Sequence, residues 1–393
     1  MENIKERSLL LHEKHKGKIR VESKVSVKTA EDLSLAYSPG VAEPCMKIVE
    51  DRDNIYKYTS KGNMVAVISD GSAVLGLGDI GPYAGLPVME GKCILFKEFA
   101  GVDAFPIMLD TTDEEEIIKT IKLISIGFGG INLEDIKAPK CVTIERRLKK
   151  ELDIPVFHDD QHGTAIVTTA ALINSCRLTK KKIEDLIVVL SGTGAAGSSI
   201  ARMLKHAGVK EIYGYNRRGV MLPHKYNEFT FVEKELVDED IISYPTKLAE
   251  DSLKGALIGT DVFIGVSAKN IVDEHMIASM NKDPFVFAMA NPDPEIKPEL
   301  AKKAGALIVG TGRSDYPNQI NNVLAFPGLF KGALESRTKN ITEEMKICAS
   351  KAIANIIKDE ELSPGYIIPS PFDRRVVEAV STAVINEAKR IKK

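Results

Sequence analysis

Residues 186–208 read LIVVLSGTGAAGSSIARMLKHAG. The run LIVVL is apolar and largely β-branched, which suits a buried parallel strand. The stretch SSIARMLKHAG reads as a helix. Between the two stands G-x-G-x-x-G, formed by Gly192, Thr193, Gly194, Ala195, Ala196 and Gly197. In that setting the first glycine permits a tight turn and the second lets a pyrophosphate approach the backbone. The third lets helix and strand pack closely, and the helix N-terminus faces the phosphates. The spacing alone would also suit a purely structural glycine turn. The expectation is a dinucleotide-binding βαβ unit.

Further apolar runs follow at EIYGY (211–215), DVFIGVS (261–267), FVFAMA (285–290) and ALIVG (306–310). Polar or helical segments separate them. This alternation predicts an α/β fold built on a Rossmann-type doubly wound parallel sheet. The strand after the glycine turn ends at Asn216, followed by Arg217 and Arg218. An acid at that tip would grip the ribose of NAD; none stands there. Arginines there can pair with a 2′-phosphate, which tilts the reading from NAD towards NADP. They also read as solvated loop charges.

The first half predicts a separate N-terminal α/β domain. MVAVIS (64–69), CILF (93–96), FPIML (105–109) and CVTI (141–144) look like strands. DEEEIIKTIKLIS (113–125) looks like a helix with acids at its positive end. The last residues, RRVVEAVSTAVINEAKRIKK, form one apolar stripe ending in bases. The expected division is a catalytic domain at 1–160, the Rossmann domain at 161–334 and a helical segment at 335–393.

Composition narrows the function. Lys and Arg number 53 against 55 Asp and Glu, a net charge of -2, so no global field draws the chain to nucleic acid or an anionic membrane. No apolar run approaches the ~20 residues of a membrane span. The start of the chain is too charged for a signal-peptide core. Cys45, Cys93, Cys141, Cys176 and Cys348 are scattered and odd in number, which suits a reducing compartment. A cytoplasmic protein is expected.

Two acidic clusters interrupt apolar surroundings: Asn132-Leu133-Glu134-Asp135 and Phe157-His158-Asp159-Asp160-Gln161-His162-Gly163. Carboxylates from two segments suit a hard cation such as Mg²⁺ or Mn²⁺. They also suit surface acids or helix caps. His158 and His162 suggest zinc, but no third soft ligand stands nearby.

In order along the chain come LAYSPGVAEPC (35–45), SDGSAVLGLGDIGP (69–82), GGINLEDIKAPKC (129–141), VFHDDQHGTAIV (156–167), MANPDPE (289–295) and GTGRSDYPNQINNVLAFPG (310–328). Together they resemble the malic enzymes of the shorter prokaryotic type. The resemblance implies oxidation and decarboxylation of malate to pyruvate and CO₂, with NAD or NADP and Mg²⁺ or Mn²⁺. It implies Lys92 as the base, Asp159 as its partner and Tyr37 as the acid that protonates enolpyruvate. Lys97 stands close to Lys92 in sequence and competes for the base by chemistry alone. Glu134, Asp135 and Asp160 match the metal ligands. Asn291, Asn321 and Asn322 match substrate and nicotinamide contacts, and Asn216 and Arg217 lie where the cofactor's ribose is read. A homodimer or larger homo-oligomer is implied, without the extra C-terminal domain of longer members. One departure stands out: larger malic enzymes carry an arginine before GLGD, and Ser72–Asp79 has none. Arg313 is the candidate replacement. Two rivals remain: a metal-free dehydrogenase of the amino-acid type, and a dinucleotide-binding regulator without catalysis.

Overall fold

The computed structural model describes residues 3–74 and 76–391; Leu75, within the SDGSAVLGLGDIGP stretch, lies outside them. Two parallel sheets carry the fold. The first holds β1 (Met64–Ser69), β2 (Asp103–Met108), β3 (Gly130–Leu133) and β4 (Val156–His158) in the order β2-β1-β3-β4. The second holds β5 (Ile187–Ser191), β6 (Glu211–Asn216), β7 (Gly219–Val220), β8 (Val262–Gly265), β9 (Phe285–Ala288) and β10 (Ile308–Thr311). Its order is β10-β9-β8-β5-β6-β7, and only the short edge strand β7 runs antiparallel. The chain leaves β5 towards β6 on one side and later fills β8, β9 and β10 on the other. That reversal opens a crevice at the carboxyl ends of β5 and β8, the usual ligand position in a doubly wound sheet. The expected α/β class and Rossmann-type sheet are therefore present.

Two expected strands are helical. CILF lies inside the helix Gly81–Ala100, and CVTI inside the helix Lys140–Glu151. Four-residue apolar runs suit a buried helix as well as a strand, and length decides between them. Pro82 sits in the first turn of the longer helix. Gly101, at φ 67°, closes it by donating to Phe96 and Lys97 carbonyls. In the second helix Cys141, Val142, Ile144, Glu145 and Leu148 are buried, the spacing of one helical face. The strand-like runs expected to end at the two acidic clusters are present as β3 and β4, only 4 and 3 residues long.

The core crosses the expected divisions. One cluster of buried side chains runs from Val65 and Phe157 through Ile166, Val188 and Phe326 to Val380. The helix Asp159–Thr179 is its axis. Glu343–Ala354 packs on that helix, and Arg375–Ile391 packs on both Glu343–Ala354 and Phe326–Ser336. No helix among the described residues is long and apolar enough to cross a membrane.

Asn174 pins the C-terminal segment to this axis. It is fully buried, and its Nδ2 donates to Ala354 O at 3.0 Å and Ile367 O at 2.9 Å. Asn174→Ala strands the buried Ile367 carbonyl, at roughly 1–3 kcal/mol, while Ala354 O keeps Arg177 Nη1 at 3.2 Å. Urea denaturation should therefore show a midpoint well below the wild-type value; an unchanged midpoint would contradict this anchoring role.

Candidate active site

A cleft of about 680 Å³ opens between the two sheets. Lys92, Glu134, Asp135 and Asp160 line it from one side. Ala196, Val266, Ser267, Asn291, Asn321 and Asn322 line it from the other. Its size suits a small-molecule site.

Lys92 projects from the helix Gly81–Ala100 and is 8% exposed. Its Nζ lies 2.6 Å from Asp159 Oδ2, 2.9 Å from Glu134 Oε1 and 4.2 Å from the Phe326 ring centroid. Burial pulls the lysine pKa down, but Asp159 and then Glu134 outweigh it, and the net direction is upward. Asp159 is completely buried, and burial pushes its carboxyl up to about 7 against the pull of Lys92. Asn322 Nδ2 donates to the same Asp159 oxygen. Lys97 points elsewhere: it is largely exposed and pairs with Asp103 at 2.7 Å. Geometry thus separates the two lysines that chemistry alone left open.

Glu134, Asp135 and Asp160 converge. One oxygen from each lies within 4.8 Å of the others, the one such metal-competent group found among the described residues. β3 ends at Leu133 and delivers the first two; β4 ends at His158 and delivers Asp160 through the helix that follows. Asp135 takes φ 52°, a left-handed conformation uncommon for a non-glycine residue, and its N–H donates to Asp160 Oδ2 at 2.8 Å. Burial pushes the Glu134 and Asp160 carboxyls upward. Of the nearby carboxylates, Asp159 and Glu134 pair directly with the Lys92 ammonium and Asp160 lies within reach of its charge. All-oxygen donors with an excess of negative charge fit a hard divalent cation. Neither histidine joins this group: both ring nitrogens of His162 are occupied by Glu145 and Lys346, and His158, whose ring nitrogens are buried without hydrogen-bond partners, approaches Asp160 Oδ2 no closer than 3.9 Å.

Gly163 explains the last letter of HDDQHG. A Cβ there would lie 2.0 Å from Asp159 Oδ1 and 2.9 Å from Asn322 Cβ. The aspartate is seated where no side chain can grow beside it.

The glycine turn stands at the carboxyl end of β5. Gly192 has φ 99°, and a Cβ on Gly197 would fall 1.7 Å from Gly192 O, so both glycines are required by close approach. A Cβ on Gly194 would meet no protein atom within 4 Å, and no side chain caps the helix Ala195–Ala207 that starts beside it. The residues Gly192, Thr193, Gly194, Ala195, Ala196 and Gly197 thus form a cradle with open helix amides that fits a pyrophosphate.

The tip of β6 holds an acid the sequence reading missed. Glu233, 5% exposed, accepts from Thr193 Oγ1 at 2.6 Å and Asn216 Nδ2 at 2.8 Å. Burial would raise its pKa, but hydrogen bonds from Thr193 and Thr230 outweigh that and keep it ionised. It comes from the helix Phe231–Asp238, far along the chain from the strand tip. Arg218 Nη1 approaches it at 3.5 Å, and Arg217 is exposed. A second overlooked acid, Glu295, is fully buried and accepts from Ser267 N and Ala290 N, which steadies the loops after β8 and β9.

Two expected residues are not brought to the cleft within one chain. Tyr37 caps the short helix Ala30–Ala36, is 69% exposed and is absent from the cleft wall. Arg313 spends its guanidinium on Asp315 and on Pro292 O, which occupies the groups a substrate carboxylate would need.

Comparison with known proteins decides the family. The description "Malic enzyme, N-terminal domain" matches residues 15–149, and "Malic enzyme, NAD binding domain" matches residues 161–389. The chain belongs to the malic enzyme family. It is 55% identical to the bifunctional malic/malolactic enzyme of Bacillus subtilis, covering 98% of this chain and 93% of that protein. It is 54% identical to the NAD-dependent malic enzyme of Geobacillus stearothermophilus, covering 99% and 80%. The crystal structure of the NAD-dependent malic enzyme of Thermotoga maritima superposes with a TM-score of 0.91 at 51% identity, covering 96% and 98%. Relatives named NADP-dependent also occur, among them that of Escherichia coli at 44% identity.

For a malic enzyme the seat of Asp159 is the sensitive point. Gly163→Ala must push Asp159 away from Lys92, and an ångström of misplacement can cost on the order of 10²-fold in kcat. NAD affinity, measured by fluorescence titration, should stay near wild type. Wild-type turnover in this variant would remove the steric argument.

Proposed function

We propose that this chain oxidises malate at C2 and decarboxylates the product to pyruvate and CO₂, using NAD together with Mg²⁺ or Mn²⁺. The observation that carries the reading is the Lys92 ammonium, held by Asp159 and Glu134 in one cleft with a three-carboxylate cluster and an open glycine cradle.

Lys92 is the group that takes the proton from the C2 hydroxyl as hydride departs. Two carboxylates keep its own proton in place. With Glu134 engaged by a cation, Asp159 would remain the chief partner of Lys92 and the hold on its proton would weaken. When bound, the cation supplies Lewis acidity to the substrate oxygens and charge balance for Glu134, Asp135 and Asp160. Asn291, Asn321 and Asn322 line the cleft with amides, each able to donate and accept towards a dicarboxylate or a carboxamide. Asn322 also steadies Asp159.

Tyr37 is the acid that protonates the enol carbon, and a second copy of the chain supplies it. The segment around Tyr37 supports this. Leu9, Val21, Val25, Leu35, Tyr37 and Val49 are each more than 60% exposed. Exposed apolar surface on this scale marks an interaction face, and a two-fold pair would exchange identical segments.

NAD is preferred over NADP. Ionised Glu233 sits behind Asn216 and Thr193, where it repels a 2′-phosphate, and it draws off part of the charge of Arg218. Two relatives at 54% and 51% identity are named NAD-dependent, which supports this reading.

Assay of malate with NAD and NADP, with and without chelator, tests the reading. Pyruvate should form with NAD in preference to NADP, and chelation should abolish it; metal-independent turnover would overturn it. Mixing inactive Tyr37→Phe with inactive Lys92→Ala protein tests the shared site. Random pairing of subunits restores about a quarter of wild-type activity if Tyr37 and Lys92 meet across two copies. Failure to complement, after subunit exchange is verified, places both residues in one chain.

A further inference from the structure

Asp159 and Asp160 lie at an abrupt junction. β4 ends at His158 and the helix Asp159–Thr179 begins at the next residue, with no side chain capping it from within. What fixes the junction comes from another helix. Glu145, on Lys140–Glu151, is 3% exposed. Its Oε1 accepts from the His158 backbone N–H at 3.0 Å and from Lys149 Nζ at 2.8 Å. Its Oε2 is 2.8 Å from His162 Nε2. One planar carboxylate therefore grips the residue before the two aspartates and a residue one turn after them.

The far side of His162 is fixed as well. Lys346, completely buried on the helix Glu343–Ala354, places Nζ 2.9 Å from His162 Nδ1 and 2.6 Å from Glu343 Oε1. An ammonium has donors only, so Nδ1 must accept. The ring hydrogen then sits on Nε2 and donates to Glu145. The tautomer and the ring plane are set from both ends.

We propose that Glu145 is a positioning residue that, with Lys346 acting through His162, sets the placement of Asp159 and Asp160. This rests on the reading of those aspartates as Lys92 partner and metal ligand. A buried charged chain of this kind is costly, and apolar side chains would hold three helices together at least as well. Apolar packing cannot orient a backbone N–H and an imidazole with one carboxylate. Outer partners of this type hold ligating carboxylates in the geometry a cation requires.

The test uses the full-length protein and variants Glu145→Ala, Glu145→Gln and Lys346→Met. Mn²⁺ binding is measured by calorimetry without malate, NAD binding by fluorescence, and kcat separately. Glu145→Ala should weaken Mn²⁺ binding and lower kcat by about 10–100-fold. NAD affinity should hold within about twofold, because the glycine cradle is untouched. Glu145→Gln should fall between, since its oxygen still accepts from His158 while its amide cannot accept from His162. Lys346→Met should weaken Mn²⁺ binding less than Glu145→Ala. Wild-type Mn²⁺ affinity in Glu145→Ala, or an equal loss of NAD affinity, overturns the proposal. If Glu145→Ala does not fold, Lys346→Met decides: unchanged Mn²⁺ affinity and kcat overturn it. Asp160→Asn separates the two readings. If it binds Mn²⁺ like wild type, the ligand assignment falls, whatever Glu145 does.

Discussion

A single buried aspartate holds the two halves of the site in register. Asp159 accepts from Lys92, which rides on the long helix of the first domain, and from Asn322, which belongs to the strand-end loops of the second. It has no exposed surface, so neither contact is diluted by solvent. Removing one partner of such a buried pair typically costs about 3–5 kcal/mol. The bare pocket beside Gly163, the grip of Glu145 around it and the cleft in front all follow from keeping this carboxylate in place.

The surrounding charge imbalance gives the cleft its chemistry. Burial raises the Asp159, Asp160 and Glu134 carboxyls, and the charge of Lys92 is the largest influence opposing it. A site so poised favours the arrival of positive charge and holds the proton on the lysine until that charge arrives. The cradle at Gly192–Gly197 reaches the same cleft through Ala196.

Much of this was legible before the fold was known. The glycine turn follows from strand, spacing and helix, and the second sheet from its recurring apolar runs. The three metal-ligand candidates came from acids at strand ends together with a family resemblance, and the structure draws their oxygens together. The misreadings have physical causes. CILF and CVTI are too short to reveal a period, and the informative signals, Pro82 and Gly101, lay outside them. Glu233 was missed because it reaches the β6 tip from a separate helix, not from the strand. Glu145 stands among charged neighbours in TIERRLKKE, where nothing in the sequence separates a buried glutamate from a solvated one. For Tyr37, the role came from the family resemblance alone, and nothing in the local sequence says what a side chain so exposed would meet.

The split origin of the cation cluster has a mechanical side. Glu134 and Asp135 directly follow β3 of the first sheet, whereas Asp160 lies in the first turn of the helix that packs against Ala195–Ala207 and Glu343–Ala354. A divalent ion seated among them acts as a rivet between two plates. Its affinity reports how far apart the plates stand, and any ligand that draws them together tightens the rivet by the same free energy. A cation and a dinucleotide that both drew the plates together would be reciprocal effectors without a dedicated regulatory site.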